Sequence, residues 1–203
     1  RTYLSSGLLR EARQEALKVI GRLHKFVESG IPVVGLEPSC MFTIRDDYPP
    51  LVPGPDSEAL ASHVQLLDEF LFQEHQKGQL KLPLRKISQE KIWVHGHCHQ
   101  KAANATGSTL GILKTIPGLE VELIPSSCCG MAGSFGYESE NYEISMKMAE
   151  LSLLPKIRTL DQNHGIVACG TSCRQQIQHG SGKSAMHTAQ ILRQAISEAS
   201  SLN

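Results

Sequence analysis

The sequence predicts an α/β protein with a largely parallel sheet, assembled from β-α-β modules whose helices pack on the sheet. Three observations carry this expectation. β-branched runs alternate with amphipathic stretches from residue 91 onward. Each predicted strand runs into a cysteine. The ungapped likeness of PVVGLEPSC (32–40) to GIVACGTSC (165–173) points to a two-fold internal repeat with its first copy truncated.

Residues 8–29 have helical periodicity and meet Gly30, a residue suited to a helix C-terminus. Residues 31–40 read as a short buried strand ending in a proline-containing turn. The segment 53–78 opens on Pro53 and Pro55, and Asp56 or Ser57 can cap the helix that follows. Its apolar face would be Leu60, Val64, Leu67, Phe70 and Leu71. KIWVHGHC (91–98) then predicts a strand, 100–116 contains a helix, and LEVELIPSSC (119–128) is a second strand. One helix is expected over 142–157, a strand over 165–173 and a last helix over 186–199. The implied organisation is the back half of a first module (1–52), a helical connector (53–90) and a complete second module (91–203). On this reading the front half of the first module would precede Arg1.

Charge and composition exclude several classes. Twenty basic and 20 acidic residues cancel, with no basic stripe, which argues against a nucleic-acid partner. No apolar run approaches the roughly 20 residues of a transmembrane helix. The first residues lack the plan of a signal peptide. Six cysteines are too few for a disulfide scaffold. The expected setting is a reducing cytoplasm, with any contact to the inner face of the membrane made through a partner.

In a parallel sheet the C-terminal strand ends share one rim, so Cys40, Cys98, Cys128 with Cys129, and Cys173 are expected to converge. Thiolate sites select zinc, copper(I) or iron–sulfur clusters. Zinc knuckles of the C-x2-C type and ferredoxin-type cysteine runs are both absent, and Cys169 to Cys173 is C-x3-C. A larger cluster held by dispersed thiolates fits better. Gly130, Gly133 and Gly136 would let the chain turn both vicinal thiolates inward and offer N–H groups to sulfide. Cys169, inside a predicted strand, reads more as a small hydrophobe.

His95, His97 and His99 would share a strand face, a zinc nest in one reading. In the preferred reading they donate hydrogen bonds to cluster sulfur or start a helix. His179 and His187 read as surface groups, and Tyr137 and Glu138 either close the pocket or begin the next helix. Arg174 either offsets the charge of a thiolate-rich centre or is a solvated helix-start residue.

The motifs HCHQKA, SSCCGMAGSFGYE and GTSCRQQI resemble the cysteine-rich CCG domain. That domain occurs in the heterodisulfide reductase B subunit, in iron–sulfur subunits of glycolate and lactate oxidases, and at the C-terminus of FAD-linked D-2-hydroxyacid dehydrogenases. GLEPSCMFTIRDDYPPLVPG and HGHCHQKA resemble the last group most closely, and the likeness covers essentially the whole chain. It implies tandem modules, each binding a 4Fe-4S cluster, non-cubane in the reductase. It further implies electron transfer from a flavin partner to a downstream acceptor, with FAD and the D-2-hydroxy acid site in another part of the parent protein. Carried over by motif, Cys98, Cys128, Cys129 and Cys173 would hold iron, with Cys40 as the last cysteine of the first module and Cys169 in lowest rank. His97, His99, Gly130 and Arg174 would surround them. No residue here is assigned a catalytic role. The alternatives are a cluster-based disulfide reductase and a structural zinc module.

Overall fold

Five strands form among the described residues, one more than the sequence predicts, and every pairing is parallel. The structure, a computed structural model, describes residues 1–196. The end of the helix expected over 186–199 lies outside them. The chain divides into two units, Arg1–Leu67 and Asp68–Asn203. The α/β class with parallel sheets is therefore as expected, but two sheets form where one shared rim was predicted.

The first unit opens with a helical turn, α1 (Thr2–Ser5), and the long helix α2 (Leu9–Glu28). Ala12, Ala16, Ile20 and Val27 form the buried stripe of α2 at helical spacing. Gly30, at φ +72°, ends it in a Schellman turn: its N–H meets the Val27 carbonyl and the Ile31 N–H meets that of Phe26. Strand β1 (Val33–Gly35) follows, then α3 (Pro38–Phe42) and α4 (Tyr48–Leu51), with a π turn between them.

The single helix expected from residue 53 is interrupted. α5 (Pro55–His63) gives way to strand β2 (Val64–Leu66), and α6 (Leu67–Gln76) continues directly. Val64 breaks to an extended ψ of 128° because β1 offers it a parallel partner, Val33 opposite Val64. Val64 and Leu66 are buried on one face of the strand, and Gln65, half-buried, takes the other. Periodicity alone could not reveal a three-residue strand whose apolar residues also fit a helical face.

The second unit is a three-stranded sheet in the order β4-β3-β5: β3 (Lys91–His95), β4 (Glu120–Leu123) and β5 (His164–Ala168). The helices are α7 (Cys98–Ala102), α8 (Thr106–Leu113), α9 (Tyr142–Glu150), α10 (Leu153–Arg158), α11 (Thr171–Ser181) and α12 (Thr188–Ala195). Side chains alternate across the sheet. Ile92, Val94, Val121 and Val167 pack on one face with Ile112 and Leu113 of α8 and Ile191 and Leu192 of α12. Trp93, Ile166 and Ala168 pack on the other with Leu153 and Ile157 of α10, Ile177 of α11, and Cys129 and Cys173. Both faces are covered, as a parallel sheet requires. Ile92 and Ile112 are fully buried, and truncating either to alanine is expected to cost about 2–5 kcal/mol by chemical denaturation.

The helix expected over 142–157 is two helices. Pro155 cannot donate to the Leu151 carbonyl, and its ring would crowd that group, so the chain breaks at Ser152 (φ −158°) before α10 begins. No helix among the described residues is long and apolar enough to cross a membrane.

Candidate metal centre

The cysteines lie beyond the strand ends rather than on them. Cys98 is the first residue of α7, after β3, and Cys173 lies in the first turn of α11, after β5. Cys128 and Cys129 sit in the loop after β4. Three βα connections of one sheet thus bring four thiols to its C-terminal rim, where such folds bind ligands. Cys129 and Cys173 are buried, at 3% and 1% exposure, and Cys98 and Cys128 are half-buried.

The thiols contact one another in series, Cys98 with Cys128, Cys128 with Cys129 and Cys129 with Cys173. Crowding sorts their protons. Hydrogen bonds from Cys129 and then Cys98 hold Cys128 well below an ordinary thiol, and the Gly130 N–H at 3.3 Å from its sulfur adds to this. Cys173 is also held low, first by Cys129 and then by the imidazoles of His95 and His97. The partners shift in the other direction: Cys98 is pushed up first by its contact with Cys128, and Cys129 by its contacts with Cys128 and then Cys173, between which its single S–H is shared. Acceptor and donor sulfurs therefore alternate. A soft cation would replace the shared protons and draw all four sulfurs as ligands.

Gly130 makes the vicinal pair possible. Its φ is +90°, and a Cβ there would lie 2.1 Å from the backbone carbonyl oxygen of Ser145. The turn is thus pressed onto α9, and Gln176 of α11 fastens the same point by donating to Ser145 Oγ (2.9 Å) and its carbonyl (3.2 Å). Lys101 braces the approach from the other side, its ammonium donating to the carbonyls of Ser126 (2.7 Å) and Ser127 (2.8 Å). The Lys101 charge also favours the Cys98 thiolate.

The histidines do not share a strand face, because β3 ends at His95. His97 is the N-cap of α7: its Nδ1 accepts from the His99 N–H (3.2 Å), and Gln100 Oε1 accepts from the His97 N–H (3.1 Å). The rings of His97 and His99 meet edge to face at 5.2 Å. His95, on the strand itself, shares the thiol side of the sheet with Trp93, two residues before it. It is 1% exposed, and ligand atoms of His95, Cys129 and Cys173 lie within 4.8 Å of one another. These are donor types and a spacing that fit a metal or a metal cluster.

Curated relatives bear on this site. The chain is 29% identical over 196 residues to the C subunit of the anaerobic glycerol-3-phosphate dehydrogenase of Escherichia coli (strain K12), covering 95% of this chain and 48% of that protein. It is 30% identical over 193 residues to the D-2-hydroxyglutarate dehydrogenase of Pantoea ananatis (strain AJ13355), covering 94% of this chain and 18% of that protein. These relatives are dehydrogenases. The chain spans about half of the first and under a fifth of the second. No protein-family profile and no solved structure matches the chain.

Cys169 stands apart from the other thiols of its unit. Its Sγ lies 3.2 Å from Asp68 Oδ2 and 3.3 Å from Thr188 Oγ1, and burial, then the Asp68 charge, push the thiol up. Asp68 is itself 2% exposed and also accepts from Thr109 (2.6 Å) and Thr188 (3.2 Å). Gln100, from the α7 cap, donates to Thr109 (3.2 Å). Arg174 turns to the carbonyls of Ala168 (2.9 Å) and Cys169 (2.6 Å), securing the turn between β5 and α11. Cys40, exposed in α3, follows β1 of the first unit's own sheet, so the rim expected to join it to the other thiols does not form within one sheet.

Sequence reasoning missed several positions. Asp68 and Gln176 carried no local signal, since each acts on partners distant in sequence. His187 did carry one. Far from being a surface group, it is 8% exposed and caps α12 with Gln190 as His97 caps α7 with Gln100, a shared H-x-x-Q spacing. Tyr137 lies in a 3-10 turn and donates to Gln175 of α11.

Proposed function

We propose that this chain is the iron–sulfur electron-transfer part of a flavin-linked oxidoreductase that oxidises a small D-2-hydroxy acid. The observation that carries the reading is the convergence of Cys98, Cys128, Cys129 and Cys173 at one sheet rim. The dehydrogenase relatives support an oxidoreductase role, and D-2-hydroxyglutarate dehydrogenase supports the hydroxy acid class. A bound 4Fe-4S cluster supplies one-electron oxidation and reduction.

The chain's own residues do the rest. Cys98, Cys128, Cys129 and Cys173 would hold the iron as thiolates. The Gly130 N–H donates to sulfur, and the Lys101 ammonium offsets part of the negative charge. The buried setting of Cys129 and Cys173 keeps water from that half of the site. Cys169 is bound to Asp68 and is left out of the ligand set. The flavin and the substrate pocket belong to another domain or subunit, and a further acceptor takes the electrons.

Anaerobic reconstitution with iron and sulfide tests the reading. Bound iron and acid-labile sulfide are expected in the wild-type chain and are expected to be lost in Cys128→Ser and Cys129→Ser. A chain that takes up no iron, or serine variants that retain it in full, would overturn it. A structural zinc site is a second reading, favoured by the compact His95, Cys129 and Cys173 group. It predicts stoichiometric zinc and no visible absorbance in aerobically purified protein. Trp93, the sole tryptophan, packs in the same apolar cluster as Cys129 and Cys173. Its fluorescence is expected to fall severalfold on iron loading and to recover on chelation, with no such change in Cys129→Ser.

A further inference from the structure

The buried ring of His95 has one nitrogen whose role the fold explains and one whose role it does not. Nδ1 lies 2.8 Å from Ser126 Oγ. The Ser126 hydroxyl in turn lies 3.5 Å from the Ile124 carbonyl and can direct its hydrogen there. Ser126 is itself fixed, its N–H donating to Ile124 and its carbonyl held by Lys101. Directed this way, the hydroxyl accepts from Nδ1–H, which leaves the lone pair on Nε2. That Nε2 is buried and has no hydrogen bond of ordinary geometry, although its ring lies against the Cys173 sulfur. Leaving a buried acceptor unsatisfied costs about 1–3 kcal/mol. The sulfurs of Cys129 and Cys173 lie within 4.8 Å of a His95 ring nitrogen and of each other.

We propose that His95 is a direct metal ligand through Nε2, joining Cys129 and Cys173 in a mixed histidine–thiolate position of the centre. The arrangement has the form of a metal-bound histidine whose second nitrogen is oriented by an outer hydrogen bond. Ser126 and Lys101 are the positioning residues, acting through His95. The inference deepens the metal-centre reading above and rests on it. Imidazole is a neutral donor where a further thiolate would add negative charge, and His for Cys raises the reduction potential of an iron–sulfur centre, so His95 beside the four thiolates would set this centre above one with cysteine at the same place.

Two measurements on the whole chain separate this proposal from that reading. The first is anaerobic titration of the apo-protein with cobalt(II). Wild type is expected to give thiolate-to-cobalt charge-transfer bands. His95→Ala is expected to weaken binding at least tenfold, and Ser126→Ala, which keeps the ring but frees it, about tenfold. The second is pulsed EPR on iron-reconstituted protein grown with 15N-histidine and reduced by one electron with dithionite, which makes the centre paramagnetic. A strongly coupled nitrogen that shifts with the isotope is expected in wild type. His95→Cys is expected to keep iron, lose that coupling and move to a lower midpoint potential.

Cobalt binding that depends on His95 in a chain that takes up no iron would sustain the ligand and overturn the iron–sulfur reading. Full iron loading with no coupled nitrogen, and cobalt affinity unchanged in His95→Ala, would overturn the ligand and leave the iron–sulfur reading standing. The wild-type EPR measurement needs no variant, so a His95→Ala chain that fails to fold does not remove the test.

Discussion

Gly130→Ala is expected to abolish metal loading and to destabilise the second unit by roughly 3 kcal/mol or more, summing left-handed backbone strain and overpacking. The added methyl would meet the Ser145 carbonyl oxygen at 2.1 Å and its carbon at 2.9 Å. Neither is a side chain that can rotate away, and Gln176 pins Ser145 from α11. Relief can only come from lifting the Cys128–Cys129 loop off α9, which separates Cys129 from Cys173. Urea denaturation and iron content read the two effects. Gly107→Ala is the control: this glycine lies in α8 with nothing within 4 Å of the added carbon. It is expected to leave iron content unchanged and to alter stability by no more than about 1 kcal/mol, in the favourable direction. A Gly130→Ala chain with wild-type stability and iron would mean that the loop does not rest on α9.

The second large effect is expected at Asp68. Removing its carboxyl in Asp68→Ala leaves the hydroxyls of Thr109 and Thr188 and the thiol of Cys169 without their common acceptor in a buried site. The expected loss is roughly 3–5 kcal/mol, the range for breaking a buried charged network. The network also reaches the cap of α7 through Gln100. Asp68→Ala should therefore lower metal affinity as well as stability, by loosening the helix start that carries Cys98. Cys169→Ser keeps a donor to Asp68 and is expected to retain the wild-type iron content. Cys173→Ser is expected to lose iron. Equal losses in the two serine variants would make Cys169 a ligand and refute its separation from the centre.

Part of the centre was legible in the primary structure because its signals are local. The vicinal pair Cys128–Cys129 followed by Gly130 needs an irregular turn whatever surrounds it. β-branched runs feeding amphipathic stretches imply parallel pairing, and parallel pairing gathers the loops after β3, β4 and β5 at one rim. Cys98, Cys128, Cys129 and Cys173 could thus be grouped without coordinates. The α2 stripe and its end at Gly30 were legible for the same reason, since spacing and a left-handed terminus are properties of a few neighbouring residues.

Other features depended on partners that no window of sequence contains. Val64–Leu66 is a strand only because Val33–Gly35 lies alongside it, and its apolar spacing suited a helix equally well. Cys169 and Cys173 are four residues apart and both buried, yet one thiol meets Asp68, 101 residues away, and the other meets Cys129. His95 differs from His97 in that β3 ends between them, which leaves one ring fixed on the strand beside Cys129 and Cys173 and makes the other a helix cap at the edge of the same site. Residue chemistry and short-range spacing thus determine which groups are available and how the nearby backbone must turn. Which of them meet is decided by tertiary packing, because a buried polar atom takes whatever partner the fold brings within about 3 Å.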